Sequence, residues 1–559
     1  MNNKYKALLG LAMAAPLLTT TGCIEEPIPT SIVTAEQIEG SAKATEAIIM
    51  GMPAHLNTFY TISSSTQQLH FDFGNPATMH ARDVMTEDEA VIFGGGYDWF
   101  ASWSSLTIGL NPLYTCPPFF WTYYYEQVLA CNQAVAAVTP DMAEGQLGTY
   151  RAMALAFRAA TYLDMARQYE FLPNENVAGD NVIGLTCPIV TENTTEEDAR
   201  HNPRVPHDEM VEFIKKDLQE AIDLYISCGS SRSSKTLPNL AVAYGLMARL
   251  YLWDASYVDP NYNTACTVHA GESEGNCAEL YAEAAKYARL AIDQSGATPL
   301  TRGEWTNATS GFNDINASSW MWGQQYVAED GAIKSGIVNW ASFCINEQRF
   351  GYASVGAWTM IGASLYNRIS DRDFRKLSWV APKGSALSGQ ESYVDPVFAA
   401  ENFDEYYAIK FRPGSGNMDD PSTGAVVGVP LMRVEEMYLL EAEAVAHTDE
   451  AKGKGLLEKF MQTYRYSSYR CLVADVIDEI ILQKRIELWG EGLTYFDVKR
   501  LNMSVTRYYP GTNFDTSRNT YNTVGRPFWM NLVMPATEER NNTAFVNNPS
   551  VVEVMTPIK

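Results

Sequence analysis

Apolar and small residues recur three and four positions apart along most of this chain, the spacing of helices that bury one face. The clearest stretch runs from Trp121 through Tyr125, Val128, Asn132 and Val135. The same spacing predicts helices over residues 150–169 and 206–225, with Pro206 tolerated in a first turn. It also predicts 236–256, with Thr236 as the cap, and 279–293. Toward the carboxyl end, 432–446 and 455–464 form a third pair, and 473–489 with 493–501 a fourth.

The closest internal echo sets Ala243–Leu252 beside Tyr281–Ala288, where small and aromatic positions alternate as in tetratricopeptide helix pairs. Polar inserts stretch the repeat well past the roughly 34 residues of that motif. The expectation is therefore a mostly α fold, with about four tetratricopeptide-like helix pairs and a more irregular, loop-rich portion.

Two regions break the helical pattern. Residues 60–120 are rich in Gly, Pro, Ser and Thr, and carry Tyr97, Trp99, Phe100 and Trp103 just after three consecutive glycines. Residues 300–358 hold Trp305, Phe312, Trp320, Trp322, Tyr326, Trp340 and Trp358 without a sustained period. Long irregular segments are where binding groups concentrate. A pyranose ring offers a flat C–H face and a rim of hydroxyls, so its receptor needs exposed aromatic rings beside amides and carboxylates. Tyr97, Trp99, Trp103, Trp320, Trp322 and Tyr326 are the candidate glycan-binding residues on that ground. Burial in a core is the competing role for each ring.

The composition narrows the partners. The 559 residues include 41 Lys and Arg against 66 Asp and Glu, a net charge of −25, which repels nucleic-acid phosphates and excludes nucleic acid as a partner. Lys4 and Lys6 precede an apolar run from Ala7 to Leu18 and small residues to Gly22, the order of a secretory signal peptide. Thr20-Thr21-Gly22-Cys23 resembles a bacterial lipobox, although Leu is usual where Thr20 stands, so Cys23 is the expected lipidation site and residues 1–22 the leader. Glu25 and Glu26 after it resemble the acidic stretch of surface-exported lipoproteins. Lipid on Cys23 would be the only membrane anchor, since no other apolar run reaches about 18 residues.

Of the remaining cysteines, Cys266 and Cys277 flank a polar, glycine-containing stretch and are the candidate disulfide. No Walker loop, dinucleotide fingerprint, metalloprotease motif or EF-hand occurs, so no cofactor is expected, and no motif supports a structural Ca²⁺. The one G-x-S-x-G, at Gly271–Gly275, lies in a polar acidic insert, not on a strand-to-helix turn. Acidic pairs such as Asp371 with Asp373, or Glu196 to Asp198, would suit glycoside hydrolysis only at separations that sequence does not give.

The carboxyl-terminal blocks are more specific. Pro430–Ala444 (PLMRVEEMYLLEAEA), Lys484–Gly492 (KRIELWGEG) and Phe496–Arg500 (FDVKR) resemble the SusD/RagB family of surface lipoproteins. Trp121, Tyr125 and Asn132, Arg158 with Tyr162, Asp217-Leu218 with Ala221, Asp373 with Arg375-Lys376, and the tail Met534-Pro535 with Asn547–Pro549 follow in family order. Thr494 departs from it, where Arg is frequent. The resemblance implies a SusD-like fold over 23–559, with an amino-terminal part near 23–230 and a carboxyl-terminal part near 300–559. It implies a non-enzymatic outer-membrane protein that captures oligosaccharide and delivers it to a SusC-like TonB-dependent transporter. Peptide capture by the same family is the alternative. The charged residues of these blocks, Arg485, Glu487 and Glu491, are expected to pair with neighbours such as Arg433 or Arg500.

Overall fold

The computed structural model describes residues 42–58, 71–92, 110–113, 116–263, 277–334, 340–517, 519–551 and 558. Its backbone is mostly helical: α1 (Ala42–His55), α2 (Asn75–Val84), α3 (Cys116–Ala136), α4 (Gly145–Tyr169), α5 (His207–Cys228), α6 (Leu240–Val258), α7 (Cys277–Ser295), α8 (Val434–Ala446), α9 (Glu450–Tyr464), α10 (Val476–Glu487) and α11 (Thr494–Arg500), with shorter turns between. Two small antiparallel sheets accompany them. One pairs β1 (Glu89–Val91) with β3 (Thr359–Ile361); the other pairs β2 (Trp320–Gln325) with β4 (Gly428–Arg433). Residues 42–559 form one compact unit, and no described helix is long and apolar enough to cross a membrane.

Helices that follow one another in sequence lie against one another in space, from α3 through α9. The amphipathic stripe of α5, Met210, Val211, Ile214, Leu218, Ala221, Ile222 and Tyr225, is buried at the expected spacing. Bidentate ion pairs add fixed contacts between helices. Arg158 of α4 donates Nε–H and Nη2–H to Asp217 of α5 at 2.7 and 2.9 Å. Arg249 of α6 holds Glu436 of α8 through two bonds of 2.6 Å. Such forks cost side-chain desolvation but impose one relative orientation, which apolar packing alone specifies less well.

Helix boundaries differ from the periodic reading where local chemistry intervenes. Pro206 precedes the first turn of α5, and Asn239, not Thr236, caps α6 by accepting from the Val242 amide at 3.2 Å. The stretch read as helix from residue 432 begins in β4, and the helix starts only at Val434, because residues 428–433 pair with β2. A β-strand therefore lies inside the region read as irregular.

The three carboxyl-terminal sequence blocks build the interior. Glu487 is surrounded by three guanidinium groups: Arg375 at 2.9 Å, Arg433 at 3.2 Å and Arg465 at 2.7 Å. Burial alone would raise its pKa, but those three charges hold it well below the usual carboxylate range. Glu491 accepts from Arg433 and Lys410, both at 2.8 Å. The intervening glycines take left-handed backbone angles, φ +75° at Gly490 and +70° at Gly492, and a Cβ on Gly492 would stand 2.8 Å from Cα of Met79. Gly492 also donates its N–H to Asp83 of α2 at 2.8 Å. The expected pairing of Arg433 with Glu487 and Glu491 is thus present, while Arg500 pairs with Glu443 and Asp497.

Candidate functional site

The candidate glycan residues on β2 are not surface platforms. Trp320, Trp322 and Tyr326 are 1%, 5% and 0% exposed. Trp322 donates its indole N–H to Thr236 O at 3.1 Å and packs edge-on against Phe157, and Tyr326 donates its hydroxyl to Phe73 O at 3.3 Å. The reason is the strand itself: β2 is covered on both faces, so alternate side chains both enter the core. Tyr97, Trp99 and Trp103 lie outside the described residues, as do Cys23 and Cys266, and with Cys266 the candidate disulfide to Cys277.

The point from which the Tyr97–Trp103 segment departs is nevertheless well defined. α10 carries Arg485 to Asp88, with Nε at 3.0 Å and Nη2 at 2.5 Å, and Trp489 donates its indole N–H to Asp88 O at 2.8 Å. These contacts pin the residue just before β1. β1 pairs with β3 residue for residue, and Ile92, the last described residue before the segment, donates its N–H to Trp358 O at 3.0 Å.

Trp358 opens a half-exposed aromatic shelf at this point. Its ring lies 5.8 Å from Phe403 and 5.3 Å from Tyr407, and Phe403 lies 5.6 Å from Phe398. Trp358, Phe398, Phe403 and Tyr406 are each partly exposed. The Trp358 indole nitrogen is buried and has no acceptor among the described residues. Beside the shelf, exposed Arg349 sits over the Phe398 ring and is held by Asp395 at 2.6 Å and Asp419 at 3.1 Å. Apolar faces flanked by charged hydrogen-bonding groups are the elements a saccharide surface needs. Sequence reasoning missed most of this shelf, although the run from Phe398 to Tyr407 sets four aromatic rings among acidic residues.

A second concavity, a cleft of about 500 Å³, opens where α3 meets the 186–202 loop and the short helix Ala536–Asn541. Trp121 and Tyr125, one helical turn apart, form its aromatic floor with ring centroids 4.7 Å apart. Glu538 accepts from the Trp121 indole at 3.2 Å and from Asn542 at 3.0 Å, and Tyr125 donates to Pro188 O at 2.8 Å. Buried Arg204 ties the walls together, donating to Thr186 O at 2.8 Å and to Asn548 Oδ1 at 2.8 Å. Burial pushes its guanidinium pKa down to about 9.

The carboxylate pairs considered for hydrolysis have structural work instead. Asp373 caps a turn and binds Arg375 at 2.6 Å, Asp371 pairs with Lys376 at 2.8 Å, and Asp198 completes a capping box with Thr195. Among the described residues, no group of three or more His, Cys, Asp or Glu side chains is placed to hold a metal ion.

Comparison with known proteins accounts for both halves of this architecture. A family model described as "Starch-binding associating with outer membrane" matches residues 52–252, and the SusD family model matches residues 284–558. None of the curated proteins matches the sequence. Among solved structures, a SusD-like carbohydrate binding protein from Bacteroides vulgatus superposes with a TM-score of 0.65 at 19% identity, covering 90% of this chain and 97% of that one. A laminarin binding SusD-like protein gives 0.60 at 16% identity, covering 91% and 99%. Surface glycan-binding protein A from Bacteroides uniformis gives 0.60 at 15%, covering 91% and 100%. The helical body, the buried carboxyl-terminal blocks and the two family matches that span most of the sequence agree, and the chain belongs to the SusD/RagB family.

Proposed function

We propose that this protein is a non-catalytic glycan receptor, held at the outer face of the outer membrane by lipid on Cys23, that passes oligosaccharide to a SusC-like TonB-dependent transporter. The observation that carries the reading is the aromatic shelf of Trp358, Phe398, Phe403 and Tyr406 at the root of the Tyr97–Trp103 segment. Each of these partly exposed rings offers a flat apolar face for a pyranose. The matched family's description and the glycan-binding relatives support the same ligand class, and the lipobox-like leader supports the location. The transporter partnership rests on family membership.

The carboxylates beside the shelf, Asp395 and Asp419, are engaged by Arg349, which supports capture. The test is electrophoresis of the protein through native gels cast with plant, microbial and host polysaccharides, with each retarding glycan then assayed for released sugar. Retardation by at least one glycan without product release is the expected result. Product release that disappears on one carboxylate substitution would replace the receptor with a glycoside hydrolase.

A further inference from the structure

A pocket of about 150 Å³ lies where the segment leading into α6, the carboxyl end of α7 and the start of β2 converge. This is far more than the roughly 10–15 Å³ that one water needs. Arg232, Lys235, Asn239, Ala241, Gly296 and Trp320 contribute to its lining. Arg232, Lys235 and Trp320 bring only donors to it, and the Asn239 side-chain oxygen is occupied by the Val242 amide.

Arg232 donates to Leu237 O at 2.6 Å and to Met321 O at 2.7 Å, and Lys235 donates to Ala317 O at 2.8 Å. Neither cation has a carboxylate partner among the described residues, in a protein of net charge −25. Burial lowers the Arg232 pKa to about 10. Burial and then the neighbouring Arg232 lower that of Lys235, against a smaller opposing effect of exposed Asp314. Trp320, 1% exposed, has an indole N–H with no acceptor among the described residues. An orphaned buried donor keeps its full desolvation penalty, so its persistence needs an explanation. Ala241, also in the lining, lies in the first turn of α6, where backbone amides lack intrahelical acceptors and the helix dipole favours negative charge.

Two cations without an acid, an unsatisfied buried N–H and a helix amino terminus share one missing component, an anionic acceptor. We propose that this pocket is an oxyanion site that takes a carboxylate or sulfate group. The group belongs either to a free anion or to an acidic sugar, and only the second source rests on the glycan reading above.

Titration calorimetry at fixed ionic strength tests the site. Sodium sulfate, D-glucuronate and neutral glucose are titrated into the wild-type protein and into Lys235→Gln and Trp320→Phe. Trp320→Phe keeps a ring in the core while deleting the N–H, and the Lys235 side chain is partly exposed, so both variants are expected to fold; thermal melts check this. Saturable binding of sulfate and glucuronate but not glucose is expected. It should weaken at least tenfold in Lys235→Gln and in Trp320→Phe. A glucuronate-ended oligosaccharide that binds more tightly than sulfate and loses that affinity in both pocket variants assigns the site to acidic glycan. Equal affinities assign it to a free anion. No saturable response to sulfate or glucuronate, or a response that survives both pocket substitutions, overturns the proposal. The shelf could fail as a glycan platform without affecting this result.

Discussion

At the scale of single residues, the interior of this protein is organised by buried charge. Glu487, with Asp373, Glu435 and Glu491, balances the buried charges of Arg375, Arg433, Arg465 and Lys410, so Glu487→Gln leaves one buried cation in excess. Breaking a buried pair by removing one partner costs about 3–5 kcal/mol, and chemical denaturation of Glu487→Gln should show a loss of that size. A loss below about 1 kcal/mol would mean that water reaches the cluster. His207 gives a pH-dependent counterpart. Its Nδ1 lies 2.6 Å from Glu170 and its Nε2 3.3 Å from Asp254, and its ring stacks on Tyr257. Burial disfavours the imidazolium, but the Glu170 and Asp254 carboxylates more than compensate and raise its pKa from 6.5 to about 9. A raised folded-state pKa stabilises the fold fully below 6.5, and the contribution is lost as pH rises through about 9. Melting temperature should therefore fall between pH 6.5 and 9 in the wild type. His207→Gln should show a flatter profile over that window, and identical slopes would remove this role.

At the scale of elements, close helix contacts rest on small residues placed at crossings. A Cβ on Gly245 of α6 would meet the Met432 sulfur at 2.5 Å, and one on Gly453 of α9 would lie 2.5 Å from Cα of Ala446 in α8. Gly245→Val faces the end of a flexible methionine, whereas Gly453→Val faces backbone that cannot give way. Overpacking typically costs about 1–3 kcal/mol, so thermal melts should place Gly245→Val near the lower bound and Gly453→Val at or beyond the upper one. The reverse order would contradict the packing described. These contacts also show why most helices were legible in the sequence: a stripe of alanines and aromatics at a spacing of three to four leaves few alternatives. Boundaries were less legible, because β4 and the start of α8 read as one apolar run until β2, more than a hundred residues earlier, is known to pair with it.

At the scale of the whole molecule, the buried carboxyl-terminal blocks hold the shelf in place. Arg485 and Trp489 fix Asp88, Asp88 leads into β1, and β1 pairs with β3 and brings Ile92 onto the Trp358 backbone. The family was legible because these blocks combine charge, glycine and tryptophan in a pattern that only their joint burial explains. The ligand surface was less legible, because an isolated Trp in sequence carries no sign of its exposure. Trp320 and Trp322 are core residues of a doubly covered strand, whereas Trp358, of the same type and in the same stretch of chain, lies partly exposed at an edge. The most direct test of the account is the affinity of Trp358→Ala, relative to wild type, for whichever polysaccharide retards the protein in native gels. Loss of an aromatic stacking platform predicts a weakening of about 1–3 kcal/mol with unchanged thermal stability. Equal affinity for wild type and variant would contradict the claim that this shelf is where the glycan binds.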